Sequence, residues 1–500
     1  MRIKILFVLL FATFTGFSQR LLNLPVEGNS SQVRAVNLRE SGIIVLDKSS
    51  EGILNIRKVD TTLHVVWETQ TEIPGKANFI DEYFDGKFLY IILEPRDARS
   101  FIILKISSAF AAYQKFDFPL AKGFQYGFFA ANDKVICLGG AVKTEPFIAI
   151  LETVPGAAPK FVSGSAKGTM ELQSVHVTDN SILATFINNV KKTNQIIFRE
   201  FDYAGKALAS RSIGAGEDSV FLSVKYFENQ DKRLLVGNYG IGKTPTNGMH
   251  SSQGIFLADI DEARIKYYGF AQFQNLFGFL NDRQKGRLDK QVEKKRKKGR
   301  EYSFDYRLFI SGLQFVKDKT LIVGEVFQPE YRSRNYSGMY GLSPLYSTLY
   351  WGRPYLYNYY GLNNSFYGYN YRNAQVFDGF RYLEGVIFAI DAEGNLAWDN
   401  SFPYKNLKYY ELATHLKVSN AADHTMALYS TGSKLKVSEM DNYGHILNAR
   451  EFDPESLELQ FRNKKSEFSN FEHWYGNVYF NWGVQKNSGN NNCFIQKLVP

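Results

Sequence analysis

The feature that most constrains this chain is a short unit that returns along nearly its whole length. An apolar strand ends at an Asp, a turn containing Gly follows, and a second strand leaves the turn. The unit runs from Phe198 to Leu208 around Asp202 and Gly205, from Ile387 to Trp398 around Asp391 and Gly394, and from Val437 to Leu447 around Asp441 and Gly444. Looser copies lie around Asp60, Ser107, Glu152 and Asp261. Successive spacings from Asp60 are 47, 45, 50, 59, 130 and 50 residues. Such an interval fits one four-stranded antiparallel blade whose outer hairpin carries the Asp-to-Gly turn. Each hairpin is preceded by an inner strand pair. These pairs begin near Val33, Phe79, Tyr126, Leu172, Phe221, Phe309, Leu412 and Phe468.

Eight starts predict an all-β, eight-bladed propeller, with seven blades as the alternative if one weak unit is an embellishment. Helical periodicity is nearly absent, and an aromatic content of 15% suits sheet faces. The last unit reaches Leu498 without a fourth strand, while Arg20 to Leu24 is a short strand with no blade of its own. Pairing the two would close the ring and hide two bare sheet edges. A length of 500 residues is then absorbed by one domain, residues 19–500.

The N-terminus carries Arg2 and Lys4, an apolar run from Ile5 to Phe14, and the small residues Gly16 and Ser18. This layout predicts a secretory signal peptide over residues 1–18, cleaved after Ser18. The apolar run is short for a bilayer, no second one exists, and no cysteine marks a lipid-modified start. The chain is expected in the periplasm, peripherally associated with the outer membrane, with an extracellular location as the alternative. No appended sorting domain of the cargo type is expected after its last strand. Cys137 and Cys493 lie in apolar runs and read as buried small hydrophobes rather than a bridge.

The hairpin unit resembles that of the quinoprotein-type and WD-like propeller superfamily, whose repeats read apolar-Asp-x-x-Gly-x-x-x-Trp. Asp391, Gly394 and Trp398 match it most closely; Asp202/Gly205 and Asp441/Gly444 match without the Trp. The resemblance implies the propeller fold over nearly the whole chain. Its members include dehydrogenases and non-catalytic periplasmic scaffolds, so it does not choose a function. The Ser18-Gln19 junction and the Tyr/Asn/Gly bias are similar to exported proteins of the Bacteroidota. There the chain resembles a propeller subunit docked on the periplasmic side of an outer-membrane (type IX) protein translocon, or the scaffold of barrel assembly.

Two insertions break the spacing. A basic one, residues 272–305, joins an outer strand to the next inner strand. A Tyr-rich one, residues 328–375, joins the second strand of a blade to its third. Alternating strand direction puts both on one face, over blades five and six. From Asp282 to Arg300 the first holds ten Lys/Arg, including Lys294, Lys295, Arg296, Lys297 and Lys298, against three acidic residues. With the signal peptide's Arg2 and Lys4 removed, the net charge outside this stretch is zero, so a general attraction to nucleic acid is not implied and none is expected. Leu288 and Val292 permit a marginal solvated helix; a flexible charged loop is the bland alternative.

The second insertion carries Tyr331, Tyr336, Tyr340, Tyr346, Tyr350, Trp351, Arg353, Tyr355, Tyr357, Tyr359, Tyr360, Tyr367, Tyr369 and Tyr371, with no Asp or Glu from Tyr331 to Phe377. Tyrosine supplies large, rigid contact area with a hydrogen-bonding tip, the chemistry of interfaces. A disordered loop and a glycan-stacking platform are the alternatives.

Catalytic motifs fare poorly. Gly237 to Thr244 fits the phosphate-loop pattern, but Pro245 follows where a helix must start, so the match reads as accidental. The seven histidines show no metal-ligand spacing, and His64 and His176 read as strand residues. No quinone platform, calcium loop or nucleophile elbow is recognisable, and no cofactor is expected. Glycosidase carboxylates assembled from distant blades would be invisible at this stage. The expected function is a non-catalytic scaffold that docks a protein partner of an outer-membrane-associated complex, with an anionic surface or glycan as further ligands. The alternative is a carbohydrate-binding or carbohydrate-active propeller.

Overall fold

A computed structural model describes residues 20–95, 100–154, 156–164, 169–190, 193–216, 218–229, 232–242, 251–333, 375–410, 412–421, 424–431, 434–452, 471–487 and 490–499. They form eight four-stranded antiparallel sheets. In seven, the strands follow chain order from the inside outwards and are called a to d. Blades one to seven span residues 33–72, 78–119, 124–163, 169–214, 219–269, 307–409 and 417–452. The eighth is built from Phe471–Tyr475, Val478–Asn487 and Asn490–Leu498, and its outermost strand is Arg20–Val26. The chain is an eight-bladed propeller closed by its N-terminal strand, as the repeats predict. Seven pairs, from Arg20↔Lys497 to Val26↔Asn491, join the two ends of the chain.

The core lies between blades. Each sheet alternates buried side chains on its two faces, and each face meets the neighbouring blade. Leu54, Ile56, Leu89 and Ile91 fill the space between blades one and two. Leu24, Val26, Ile43, Trp474 and Phe480 fill the space between eight and one. Cys137 and Cys493 are free and buried in separate clusters. Among the described residues no helix is long and apolar enough to cross a membrane.

The recurring Asp has a local task. Asp202 Oδ1 accepts from Lys206 N at 2.8 Å, Asp391 Oδ1 from Asn395 N at 2.6 Å, and Asp441 Oδ1 from Tyr443 N and His445 N at 2.8 and 2.9 Å. Each carboxylate thereby satisfies the turn's amides. The glycine three residues on takes φ 81°, 78° and 82°, where a side chain is disfavoured. In blade one Leu63 occupies that conformation at φ 65°. Ser107 replaces the carboxylate with its hydroxyl, which accepts from Ala109 N and Phe110 N. In blade five the acceptor is Asp259 and not Asp261, whose carboxylate instead pairs with Arg211 and Arg233.

Trp398 links two blades. Its Nε1 donates to Asn442 O at 3.0 Å, and its ring lies against Gly444 in the turn of blade seven. Blade five's Tyr268 hydroxyl likewise reaches Gly394 O at 2.7 Å. Three expected positions shift. Strand a of blade seven begins at Lys417, because residues 412–416 are held as a connection by buried side chains of blade six. In blade eight it begins at Phe471. His64 lies in the outer turn, bonded through its amide to Asp60, and not in a strand.

A Cβ on Gly444 would stand 2.6 Å from Trp398 Cδ2, whereas one on Gly216 meets nothing within 4 Å. Gly444→Ala should therefore destabilise the fold by about 2–4 kcal/mol, through both the positive φ and the overpacked ring. Gly216→Ala should be near neutral, and urea denaturation of the two variants measures the difference.

Candidate functional face over blades five and six

Both insertions leave the ring on the face where strand d connects to the next strand a. The connection from blade five to blade six spans residues 270–306 and contains helix α1 (Asp282–Arg296). Asn281 caps it: its Oδ1 accepts from Gln284 N at 3.0 Å, and Gln284 Oε1 accepts from Asn281 N at 3.1 Å. Gly299, at φ 65°, ends it. Leu288 and Val292 pack on the core between blades five and six, as do Leu383 and Tyr302. The basic segment is thus an ordered helix fixed to the ring by its two apolar residues, not a free charged loop. Lys294, Lys295 and Arg296 occupy its last turn, Lys297 and Lys298 follow, and all five are exposed.

The second insertion is shorter than its sequence boundaries. Strands b (Lys319–Ser333) and c (Gln375–Ile390) of blade six continue their ladder to the pair Ser333↔Gln375. Strand a stops pairing at Phe327, so residues 327–333 carry the ladder roughly 20 Å past it. Strand d (Leu396–Tyr409) follows partway, pairing Tyr409 with Phe380. The result is a stalk. Glu330 accepts from Arg381 Nε at 3.2 Å and Lys408 Nζ at 2.9 Å, and Lys408 also reaches Asp378 at 2.8 Å. Gly379, at φ 108°, accommodates a bulge opposite Glu330 and Tyr331. Tyr331 lies in strand b. Tyr336, Tyr340, Tyr346, Tyr350, Trp351, Arg353, Tyr355, Tyr357, Tyr359, Tyr360, Tyr367, Tyr369 and Tyr371 lie outside the described residues.

Buried polar side chains pin the blade connections on this face. Asp399 Oδ1 and Oδ2 accept from Gln274 N and Asn275 N at 2.9 and 2.7 Å, and Glu384 accepts from Phe277 N at 2.8 Å. These two carboxylates hold the start of the helical insertion. On the other side of blade six, Glu325 Oε1 accepts from His415 N and Leu416 N at 2.7 and 2.9 Å, and Oε2 from the Tyr404 hydroxyl at 2.6 Å. Asp47 does the same for Glu27 N and Gly28 N at the ring's closure. Sequence reasoning missed these residues. Their signal was a lone acid inside an apolar strand, as in Val323-Gly324-Glu325-Val326-Phe327.

At the foot of the stalk, His415 stacks on Tyr409 with centroids 4.5 Å apart and meets Tyr382 edge-on at 4.3 Å. Burial, and then the charge of Lys417, lower the His415 pKa to about 3. The phosphate-loop match resolves as structure. Gly237 to Ile241 belong to strand b of blade five, not to a loop, and a Cβ on Gly237 would collide with the Ser223 carbonyl. Lys243 lies outside the described residues. Among the described residues no group of three His, Cys, Asp or Glu is placed to hold a metal ion.

Burial pushes Glu325 and Glu384 up to about 7, outweighing the amides that favour their ionised forms. Glu171 and Glu472, on inner strands of blades four and eight, are also raised to about 7 by burial. Between 4.5, the ordinary value, and about 7, the folded chain keeps protons that the unfolded chain has released. Their stabilisation is therefore complete below the lower value and lost as pH rises through the upper one. The melting temperature should fall across that window, and Glu325→Gln with Glu384→Gln should flatten the decline. Calorimetry at a series of pH values checks both.

No family model and no curated protein matches the sequence. Among solved structures, the chain is similar to polysaccharide lyase Uly1 at 8% identity and a TM-score of 0.39, covering 84% of this chain and 89% of that one. It is similar to prolyl oligopeptidase B from Galerina marginata at 9% identity and 0.39, spanning 94% of this chain and 55% of that one. A protein from Lactobacillus plantarum matches at 8% identity and 0.40, over 88% of this chain and 96% of that one. At these scores the likenesses carry no argument, and the fold rests on the eight sheets themselves.

Proposed function

We propose that this propeller is a non-catalytic docking subunit that engages a protein partner through the face over blades five and six. The observation that supports the reading is the stalk. Strands b and c of blade six outrun the ring, and a salt-bridge network with Glu330 at its centre stiffens them. They hold the two ends of the Tyr-rich segment side by side at their tip. A segment rich in Tyr, Gly and Asn on a rigid mount has the composition of an interface held away from its scaffold. The resemblances and the N-terminal pattern favour a periplasmic setting, on an outer-membrane complex of the protein-secretion kind.

A second reading is a carbohydrate-binding or carbohydrate-active propeller. It is favoured by the half-buried ring stack of Tyr409 and His415 beside the polar Asp378 and Lys408, since sugar rings stack on aromatic faces between polar groups.

Replacing residues 334–374 by an Asn-Gly turn would close Ser333 to Gln375 as a two-residue hairpin and leave the ladder intact. That variant should melt within a few degrees of the parent and lose the partners that the parent retains on affinity purification from native envelopes. Recovery of the same partners by both proteins would sink the docking reading. A saccharide bound by the parent and lost in Tyr409→Ala would move the assignment to the second one.

A further inference from the structure

Helix α1 carries an electrostatic cost that the fold does not require. At 100° per residue, Arg283, Arg287, Lys290 and Lys294 fall within an arc of about 60°. Leu288 and Val292, which seat the helix on the ring, lie on the opposite side. The acidic residues Asp282, Asp289 and Glu293 form a separate row, about 100° away from the basic one. Glu293 spends its charge on Arg296 at 2.8 Å and Lys297 at 3.9 Å. The four residues of the basic row are exposed, and none has an ion pair among the described residues. Like charges at i,i+3 and i,i+4 disfavour a helix, and Arg283 stands in the first turn, where the helix dipole disfavours a cation. A solubilising surface would intersperse both signs. Lys285, Lys295 and Arg296 stand elsewhere on the helix, but the four-residue stripe itself contains no acidic residue.

We infer that this row is a docking ridge for an acidic helix of a protein partner. The inference rests on the docking reading above and names the chemistry of the contact. A bilayer is the poorer occupant. A membrane-binding helix inserts its apolar face, and here that face is buried on the ring's own core. A convex ridge with one cation per turn matches a second helix bearing carboxylates at i, i+4, i+7 and i+11, over about 16 Å. The stalk rises from the same junction: Leu383 of strand c packs in the same cluster as Leu288 and Val292. A partner seated on the ridge would therefore lie beside the foot of the stalk.

The test uses the full chain and an Ala-rich helical peptide with glutamates at i, i+4, i+7 and i+11, against a scramble of the same composition. Combined Arg283→Glu, Arg287→Glu, Lys290→Glu and Lys294→Glu should weaken peptide binding about tenfold to a hundredfold. The Arg283→Lys, Arg287→Lys, Lys290→Arg, Lys294→Arg set should retain it, and rising salt should weaken the parent. Circular dichroism verifies that both variants stay folded. Equal binding by the reversal variant, or by the scrambled peptide, overturns the inference. So does binding to phosphatidylglycerol-containing vesicles without binding to the peptide. Native co-purification separates the two failures. If the reversal variant keeps every partner that the stalk replacement loses, the ridge assignment fails and the docking reading stands. If both keep them, both fail.

Discussion

The pairing of Arg20–Val26 with Asn490–Leu498 is the interaction on which the rest of the structure depends. Each blade of a propeller presents two apolar faces, so each needs a neighbour on both sides. Without the N-terminal strand, blade eight ends on an open edge, and the cluster holding Trp474 and Phe480 loses the wall made by Leu24 and Val26. Arg57 donates to Pro25 O at 2.7 Å, and Asp47 receives the amides of Glu27 and Gly28, so the strand is also tied to blade one. Ring closure is thus a long-range strand pairing between chain ends, supported from both sides. Contacts of such sequence separation come at a high loop-closure cost and are rewarded only when the whole ring is present.

Against this regular ring, blade six stands apart. Its middle strands are 15 and 16 residues long and its outer one 14, where ordinary outer strands in this chain have about half that. Its flanking connections are held by Glu384 and Asp399 on one side and Glu325 on the other. Burying three carboxylates is expensive unless their oxygens find donors. Backbone amides of the connections supply donors to Asp399, to one oxygen of Glu384 and to one of Glu325, whose other oxygen takes the Tyr404 hydroxyl. The arrangement converts two loops, which would otherwise be the mobile parts of a propeller face, into a fixed base for the stalk and for α1.

How much was legible follows from how local each signal is. The Asp-to-Gly hairpin is a four-residue device, so Asp202, Asp391 and Asp441 could be read directly, and the blade count with them. The missing fourth strand of blade eight was legible as a deficit at one end and a surplus at the other. The position of the acceptor in blade five was not: Asp259 and Asp261 both stand near the turn, and only geometry distinguishes a turn acceptor from a salt-bridge partner. The extension of blade six was missed because Gln328 to Ser333 and Gln375 to Leu383 mix Pro, Gly and charged residues in a pattern that reads as loop. Bulges opposite Val326/Phe327 and Glu330/Tyr331, and ion pairs between strands, make that pattern a ladder. The inner-strand bulges of blades two to six, as at Leu172/Ser174, left no mark in the sequence either, since a bulge needs only one extra residue of ordinary type.

The central claim is that the face bearing the stalk and α1 is the recognition side of the ring. Cross-linking mass spectrometry of the chain in its native complex tests it most directly, because exposed lysines mark both faces. Lys290 and Lys294 lie on α1, while Lys87, Lys134 and Lys206 lie in hairpin turns on the opposite face. The account predicts cross-links to a partner from Lys290 and Lys294, with Lys87, Lys134 and Lys206 silent. Partner cross-links concentrated on Lys87, Lys134 and Lys206 would contradict it.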